Sequence, residues 1–198
     1  YSGAIADYTK AIELDPNFAN AYYSRGLSKD DLKDFNGAIS DYSKAIELDS
    51  NYVDAYINRG VSKDNLKDYY GAISDYNIAI ELDPNDATAY YNRGNSKNDL
   101  KDFNGAISDF NKAIELDPSE AVAYYNRGWS KHKLKDFNGA ISDYTKAIEL
   151  DPNEANAYNN RSVSKESLGD LNGACEDAKK AISLGDETSV KWVAGNCN

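Results

Sequence analysis

The sequence repeats itself every 34 residues, without insertion or deletion, over almost its whole length. Four glycines keep this spacing, with Ser162 in the fifth place, and an arginine directly precedes each of the five. A second glycine column runs from Gly3 to Gly173. Because a fixed period of this length is the signature of repeat architectures, the chain is predicted to be a stack of similar units, each burying its apolar face against the next.

Each repeat is predicted to form two helices. In residues 135–150, apolar side chains recur mostly at three- and four-residue steps, which is typical of one face of a helix. Pro152 ends this helix, because proline cannot continue the hydrogen-bond ladder. Residues 121–134 are long enough for the other helix, and Lys135-Asp136 makes the turn between the two.

The period divides the chain into five full repeats and two partial ones. Residues 1–18 are predicted to be the second helix of a truncated repeat, and residues 189–198 a tail resembling the start of a further first helix. The full repeats comprise residues 19–52, 53–86, 87–120, 121–154 and 155–188. Since the sequence contains no methionine, we expect a fragment of a longer protein, so the missing signal peptide says nothing about its compartment.

The composition argues against several classes of function. The 33 acidic residues outnumber the 22 basic ones, giving a net charge of -11, which disfavours binding to nucleic acid. No apolar run is long enough for membrane insertion. One histidine and two cysteines are too few for a zinc site, and no phosphate loop or nucleophile motif is present. We therefore predict no catalytic residue, no metal and no cofactor, and we expect a protein that is not an enzyme.

The two cysteines and the repeated lysine are interpreted as structural residues. Cys175 occupies the position of Ile141 and is predicted to be a small buried residue, while Cys197 lies in the tail. A disulfide between them stays open, because two cysteines do not define a framework. The column of Lys29 is predicted to pack its aliphatic stems between helices, with the charged heads in water.

Aromatic and small residues follow a fixed order in every repeat. In the fourth full repeat they are Tyr124, Gly128, Ala140, Tyr144, Ala147 and Pro152. A helix–turn–helix unit of this length and order resembles the tetratricopeptide repeat, and the resemblance covers residues 1–188. It implies an all-α, right-handed α-solenoid of stacked antiparallel helix pairs whose first helices line a concave groove for a partner peptide or protein. Arg127 and Lys131 depart from that family's usual apolar or aromatic residues.

An arginine column and an aspartate column recur 16 residues apart, one on each helix of a repeat. We interpret them as structural ion pairs, since guanidinium and carboxylate groups match in a bidentate geometry. The alternative is a row of arginines that binds an anionic ligand. The predicted pairs are Arg25 with Asp41, Arg59 with Asp75, Arg93 with Asp109, Arg127 with Asp143, and Arg161 with Asp177.

Two neighbouring repeats, residues 87–120 and 121–154, differ at only seven of 34 positions. Four changes fall on the first helix: Thr88/Val122, Asn95/Trp129, Asn98/His132 and Asp99/Lys133. At roughly 100° per residue they share one arc, opposite the residues predicted to pack. We interpret this arc as a recognition surface, with neutral drift on a solvated face as the alternative. The resemblance favours recognition, because the arc matches the family's groove.

The same arc, read along all repeats, gives the predicted partner-binding groove. We expect Tyr91, Tyr125 and Trp129 to be apolar anchors. Asp30, Asp31 and Asp64 should favour basic residues in the partner. The predicted groove residues are Tyr23, Leu27, Asp30, Asp31, Ile57, Asn58, Asp64, Tyr91, Asn92, Asn95, Asn98, Tyr125, Asn126, Trp129, His132 and Lys133.

One asparagine column resembles the asparagine with which chaperone-binding members of the family grip a terminal carboxylate: Asn58, Asn92, Asn126 and Asn160. The lysines of that clamp have no counterpart, so we predict no binding to the chaperone tail. The sequence thus predicts a protein-interaction scaffold that binds a segment with apolar and basic residues. Two alternatives stay open: the non-catalytic arm of a larger enzyme, and a structural array that associates head to tail into homo-oligomers.

Overall fold

The computed structural model describes residues 1–197, which form twelve α-helices and no strand. The all-α fold class expected from the repeat is thereby confirmed. The last position of the predicted tail, Asn198, lies outside the described residues. The helices are α1 (Ser2–Leu14), α2 (Ala19–Asp31), α3 (Phe35–Leu48), α4 (Val53–Asn65), α5 (Tyr69–Leu82), α6 (Ala87–Asp99), α7 (Phe103–Leu116), α8 (Ala121–Lys133), α9 (Phe137–Leu150), α10 (Ala155–Ser167), α11 (Leu171–Ser183) and α12 (Val190–Asn196).

The helices belong to two compact units. The first unit, Tyr1–Leu100, contains α1 to α6, and the second, Lys101–Asn198, contains α7 to α12. Within each unit every helix packs against the helices directly before and after it, and the short connections make these neighbours antiparallel. Among the residues that the structure describes, no helix is long and apolar enough to cross a membrane.

An aspartate cap starts the second helix of each repeat. In the first unit, the Asp34 side chain accepts a hydrogen bond from the Gly37 amide at 3.0 Å, which satisfies one of the free N–H groups at the start of α3. A side chain at Gly37 would collide with the capping carboxylate, which explains the second glycine column in the full repeats, from Gly37 to Gly173. The turn before the cap places Lys33 in the left-handed region, at φ 62°, and in the last full repeat Gly169 takes that position.

Tyrosines packed against glycines form the centre of the core. Tyr42 and Tyr76 in the first unit, and Phe110 and Tyr144 in the second, are almost fully buried among alanines. A Cβ built on Gly60 would lie 2.6 Å from Tyr76 Cε1, so the first glycine column allows the tyrosine ring to touch the backbone of the facing helix. In the last full repeat Ser162 replaces the glycine and Ala178 the tyrosine.

A disulfide ties the tail to the last full repeat. Cys175 on α11 is bonded to Cys197 directly after α12. The prediction that Cys175 is a small buried residue is therefore wrong. Cys175 is only partly buried, on the side of α11 that packs against α12. Trp192 of α12 donates its indole hydrogen bond to Glu166 of α10 at 2.8 Å, which holds the same helix from the other side.

Candidate functional site

In four repeats the arginine column binds the aspartate column through two guanidinium nitrogens. Arg25 Nε and Nη2 donate to the Asp41 carboxylate at 2.9 and 2.7 Å. The same arrangement occurs between Arg59 and Asp75, Arg127 and Asp143, and Arg161 and Asp177. Arg93 and Asp109 belong to different units, and their pairing stays a prediction.

The remaining guanidinium nitrogen in these four repeats is also engaged. Arg25 Nη1 donates to Thr9 on the preceding second helix at 3.1 Å, and Arg59 Nη1 donates to Ser43 at 3.0 Å. In the second unit the acceptors are Asn111 and Thr145. Because the protein itself occupies every guanidinium nitrogen, the geometry of these arginines opposes the alternative of a row that binds an anionic ligand.

The lysine column completes each ion pair, which sequence reasoning missed. Lys29 Nζ lies 2.7 Å from Asp41 Oδ2, and Lys63, Lys131 and Lys165 repeat this contact. The expectation that the lysine heads stay in water is wrong, since one buried aspartate accepts from both cations. We call each such set an Arg–Lys–Asp triad. Its aspartate side chain is only 3–6% exposed, so the triads belong to the interior.

The predicted acidic rim is corrected for two of its three residues, because Asp30 and Asp64 turn between the helices. Asp30 accepts a hydrogen bond from Ser62 of the next first helix at 2.9 Å. Asp64 accepts from Ser96 at 2.9 Å and from the Tyr76 hydroxyl at 2.8 Å. The buried serine column, which includes Ser62 and Ser96, is the signal that could have revealed this role. Only Asp31 stays exposed.

Burial changes the acidity of the inward-facing aspartates. Burial is the largest influence on Asp64 and raises the pKa of its carboxyl to about 6, while its hydrogen bonds from Ser96 and Tyr76 act in the opposite direction. Burial also raises the pKa of Asp30, more weakly. These carboxylates are therefore held by short-range hydrogen bonds at a cost in desolvation, as expected for structural groups rather than a solvated recognition rim.

Asn98 and His132 occupy the same column as Asp30 and Asp64. Asn98 is buried in the first unit. In the second unit, His132 Nδ1 lies 2.9 Å from Ser164 Oγ, and its ring packs against Phe137 with the centroids 5.3 Å apart. Burial, followed by the charge of Lys133, lowers the pKa of His132. Asp30 and Asp64 in the first unit and His132 in the second thus connect successive first helices, and we remove them, with buried Asn98, from the predicted groove.

Several further predicted groove residues are occupied by contacts within the protein. Ile57 is buried in the core of the first unit, at 7% exposure, so this expectation is wrong. Asn58 donates its amide to the Tyr23 hydroxyl at 2.9 Å, and burial raises the pKa of Tyr23 to about 12. In the second unit Asn160 donates to the Tyr125 hydroxyl at 2.8 Å. Two of the asparagines that resemble clamp residues, Asn58 and Asn160, therefore orient tyrosines.

One aromatic and cationic surface remains on α8 in the second unit. Trp129 is partly exposed, with its ring edge-on to Phe103 at a centroid distance of 5.6 Å. Lys133 is exposed and places Nζ 4.9 Å from the centroid of the same indole. Tyr125 is partly exposed about one turn before Trp129, and Val122 is exposed about two turns before it. We call Val122, Tyr125, Trp129 and Lys133 the α8 face.

An apolar depression adjoins the α8 face at the start of the helix. Its lining includes Val122, Tyr125 and Ala147, together with Asp151 and Glu154. The hydroxyl of Tyr125 is fixed by Asn160 and its ring packs on Tyr144 at 5.8 Å, so the wall of the depression is held rigidly. Such a surface can accept an apolar side chain from a bound segment.

The corresponding surface of the first unit is more polar. Leu27 is 36% exposed and Asp31 is exposed one turn further along α2. On α6, Tyr91, Asn92 and Asn95 are partly exposed. In the second unit, Asn126 is also partly exposed beside the α8 face. Among the described residues, no group of three or more His, Cys, Asp or Glu side chains is arranged to hold a metal ion.

Sequence comparison identifies the repeats. A model of the tetratricopeptide repeat matches residues 19–52, 87–120 and 121–154, just over half of the chain. A TPR repeat model matches residues 1–29 and 66–98, and another tetratricopeptide repeat model matches residues 143–176. No curated protein sequence matches the chain.

Solved structures of the same repeat type are similar over most of the chain. A MamA crystal structure shares 28% identity with a TM-score of 0.78, over 84% of this chain and 91% of that one. YrrB, described as a TPR protein with an unusual peptide-binding site, shares 24% identity with a TM-score of 0.79, over 95% and 97%. Cut9 in its APC/C complex with Hcn1 shares 19% identity with a TM-score of 0.79, over 100% and 39%. Together with the repeat matches, these similarities show that the chain belongs to the tetratricopeptide repeat family.

Proposed function

We propose that the chain is a scaffold that binds a peptide or protein segment on the exposed face of its first helices, with the α8 face as the main anchor. It acts by binding and carries no catalysis of its own. Tetratricopeptide repeats and repeat-containing neighbours support a protein-interaction scaffold in general. The position of the segment and its chemistry are the finer part of the proposal.

The observation that carries the proposal is the substitution of Asn95 by Trp129 between two nearly identical repeats. The Arg, Lys and Asp positions of the triad are identical in these two repeats, and the core position stays aromatic as Phe110 or Tyr144. On the accessible side of α8, by contrast, Val122, Trp129 and Lys133 replace polar or acidic residues. Partly exposed tryptophan is uncommon on a surface without a partner, and tryptophan anchors dominate binding hot spots.

The geometry of the α8 face favours an apolar or aromatic anchor in the bound segment. Phe103 supports one edge of the Trp129 ring and Lys133 covers part of it, so the indole is held in place before binding. A rigid aromatic platform loses little conformational entropy when a ligand packs on it. The depression beside Tyr125 provides a second apolar subsite on the same helix.

The first unit, taken by itself, would suit a basic residue of a bound segment, because Asp31 is exposed there while the other two predicted acidic residues, Asp30 and Asp64, are turned inward. YrrB is described as having an unusual peptide-binding site. Its identity to this chain is 24%, which supports the fold alone, so the peptide-binding proposal rests on the surface described above.

The test is affinity capture from a lysate of the source, comparing the unaltered chain with Trp129→Asn, the residue that Asn95 supplies in the preceding repeat. We expect partner proteins, identified by mass spectrometry, to be retained by the unaltered chain and lost from Trp129→Asn. Leu171→Asn is the matched control, because Leu171 is an apolar side chain, 50% exposed, on a second helix away from the α8 face. Equal recovery with the unaltered chain and Trp129→Asn would contradict the proposal.

A further inference from the structure

The last position of a repeat, directly before the next first helix, carries different side chains in the two units. In the first full repeat this position is Tyr52, whose ring packs against Tyr23 with the centroids 4.8 Å apart. Tyr23 is the counterpart of Tyr125 in the second unit, where the last position of the repeat is Glu154. The surface beside Tyr125 therefore carries a carboxylate in place of a ring, and the apolar depression lies there.

The depression has the size of a single side chain. Its volume is about 270 Å³ including its open mouth, which is smaller than most pockets for small organic ligands. The Tyr125 hydroxyl accepts a hydrogen bond from Asn160 at 2.8 Å, which holds the ring at the wall of the depression. A fitting side chain needs an apolar part, because Val122 and Ala147 belong to the same lining.

Two carboxylates accompany this apolar lining. Asp151 Oδ1 accepts from the Asn153 amide and Glu154 Oε1 accepts from the Asn156 amide, each at 3.0 Å. Each group thus uses one oxygen within its own turn and leaves the other for a further donor. Among the described residues, neither carboxylate forms an ion pair with a lysine or arginine. Burial, followed by the charge of Glu154, raises the pKa of Tyr125, so this charge lies close to the ring.

Arginine is the side chain that fits both the apolar lining and the carboxylates. It combines an aliphatic stem with a flat cationic group that stacks on an aromatic ring and binds carboxylates through several N–H donors. The chain uses the same combination in its own interior. There Arg127 lies over the Tyr124 ring, with 5.4 Å to the centroid, and donates to Asp143.

We propose that the depression beside Tyr125 is a subsite for an arginine of the bound segment, with its guanidinium on the ring and in reach of Asp151 and Glu154. The inference rests on the proposed function and specifies the chemistry of the partner. Trp129 lies one turn after Tyr125, about 6 Å along the helix. This is close to the roughly 7 Å between alternate residues of an extended chain, so the segment carries its arginine two positions from an aromatic or large apolar residue.

The experiment selects random dodecapeptides, displayed on phage, for binding to the immobilised chain. We expect the selected peptides to share an arginine two positions from an aromatic or large apolar residue. One of them is synthesised with a fluorescent label, and its Kd is measured by fluorescence anisotropy. Replacing its arginine by citrulline, which keeps the shape and removes the charge, should weaken binding by about tenfold or more. Replacement by lysine, which cannot stack in the same way, should weaken it by about threefold or more.

Glu154→Gln gives the complementary measurement on the chain. The amide oxygen of glutamine can still accept from the Asn156 amide, so the start of α10 is kept while the charge is removed. We expect the arginine peptide to bind about tenfold more weakly, and the citrulline peptide to lose no further affinity. Glu149→Gln is the matched control, because Glu149 is an exposed carboxylate on α9 that pairs with Lys146, and it should leave the Kd unchanged.

Trp129→Asn separates this inference from the proposed function. Peptides that need Trp129 but bind equally well to Glu154→Gln, or with citrulline or lysine in place of arginine, would overturn the arginine subsite and leave the proposed function standing. Equal losses in Glu149→Gln and Glu154→Gln would indicate general electrostatic attraction and would overturn the subsite as well. Peptides that bind Trp129→Asn as tightly as the unaltered chain, or no selected peptide, would overturn the proposed function and the subsite with it.

Discussion

The repeat of α4 and α5 in the first unit and the repeat of α8 and α9 in the second unit have the same interior but different outer faces. Arg59 binds Asp75 with the distances at which Arg127 binds Asp143, 2.9 and 2.6 Å. At the outer positions, buried Ile57 in the first corresponds to partly exposed Tyr125 in the second. The inward contacts are therefore set by the repeat, while the outer face is free to change.

Some residues of the outer arc depend on a partner in the following first helix, so a change at one position affects the other. Asp64 and His132 belong to one column, and each binds a serine of the following first helix, Ser96 or Ser164. A polar side chain at this position gives the buried serine a second partner besides the backbone carbonyl one turn earlier, which the same hydroxyl also contacts. Position in the repeat, rather than residue type, thus separates structural side chains from those available to a ligand.

The largest expected effect comes from breaking a triad. Asp75→Asn leaves the charges of Arg59 and Lys63 without their carboxylate in the interior, and we expect the free energy of unfolding to fall by about 3–5 kcal/mol. Urea unfolding followed by circular dichroism measures the change. Asp31→Asn is the control, because an exposed aspartate outside such a network should alter stability by about 0.5 kcal/mol or less. Similar losses of stability in Asp75→Asn and Asp31→Asn would contradict the claim that the triads stabilise the fold more than an exposed aspartate does.

A smaller effect is expected where the tyrosine meets the glycine. Gly60→Ser places a Cβ against the Tyr76 ring and should lower the free energy of unfolding by about 1–3 kcal/mol. The chain supplies the compensated pair in Ser162 and Ala178. We therefore expect Gly60→Ser combined with Tyr76→Ala to cost less than the sum of the two single changes in urea unfolding. Strict additivity would show that this close approach does not constrain the glycine.

The smallest of the three stability effects concerns pH. Burial raises the pKa of Asp64 to about 6 from its ordinary 3.8, so between these values the native state holds a proton that the unfolded chain releases. The contribution of Asp64 to stability is therefore present below about pH 4 and is lost as the pH rises through about 6. Asp64→Asn introduces the residue that the next repeat has at this position, Asn98, and should remove this pH-dependent loss of stability because an amide does not titrate.

We expect Asp64→Asn to gain stability relative to the unaltered chain by the order of 1 kcal/mol between pH 4 and pH 7, a value reduced for the partial exposure of this side chain. Parallel urea titrations at the two pH values measure the difference. A stability difference that does not depend on pH would contradict the assignment of Asp64 as a desolvated carboxylate. Asp31→Asn again provides an exposed control.

The interior was largely predictable from the sequence, because strict period and helical phase place Arg127 and Asp143 on facing helices. The lysine of the triad was not predicted to pair with the aspartate. A lysine that recurs at a regular spacing is compatible either with an ammonium group in water or with an ion pair. Asp30 and Asp64 fall in the outer arc by helical phase, yet their short side chains reach serines on the next helix. Phase gives the direction of a side chain but not the partner within its reach.

The sequence also predicted only part of the candidate site, because it shows which side chains differ between repeats but not which side chains they contact. The contrast between Asn95 and Trp129 pointed to the α8 face, whereas the support of Trp129 by Phe103 and Lys133 depends on contacts between helices. The disulfide between Cys175 and Cys197 required knowledge of how α12 folds back on α11. Such contacts depend on three-dimensional packing that two cysteines in a sequence do not define.

The central claim is that one side of α8 maintains the fold and the other binds a partner. Arg127 and Trp129 test it directly, because they lie two residues apart on the same helix and face different surroundings. The measurement is thermal unfolding together with capture of the same partner by Arg127→Ala and Trp129→Asn. We predict that Arg127→Ala lowers the Tm and, while folded, keeps the partner, and that Trp129→Asn keeps the Tm and loses the partner. Capture lost only in Arg127→Ala, or retained in Trp129→Asn, would contradict the account.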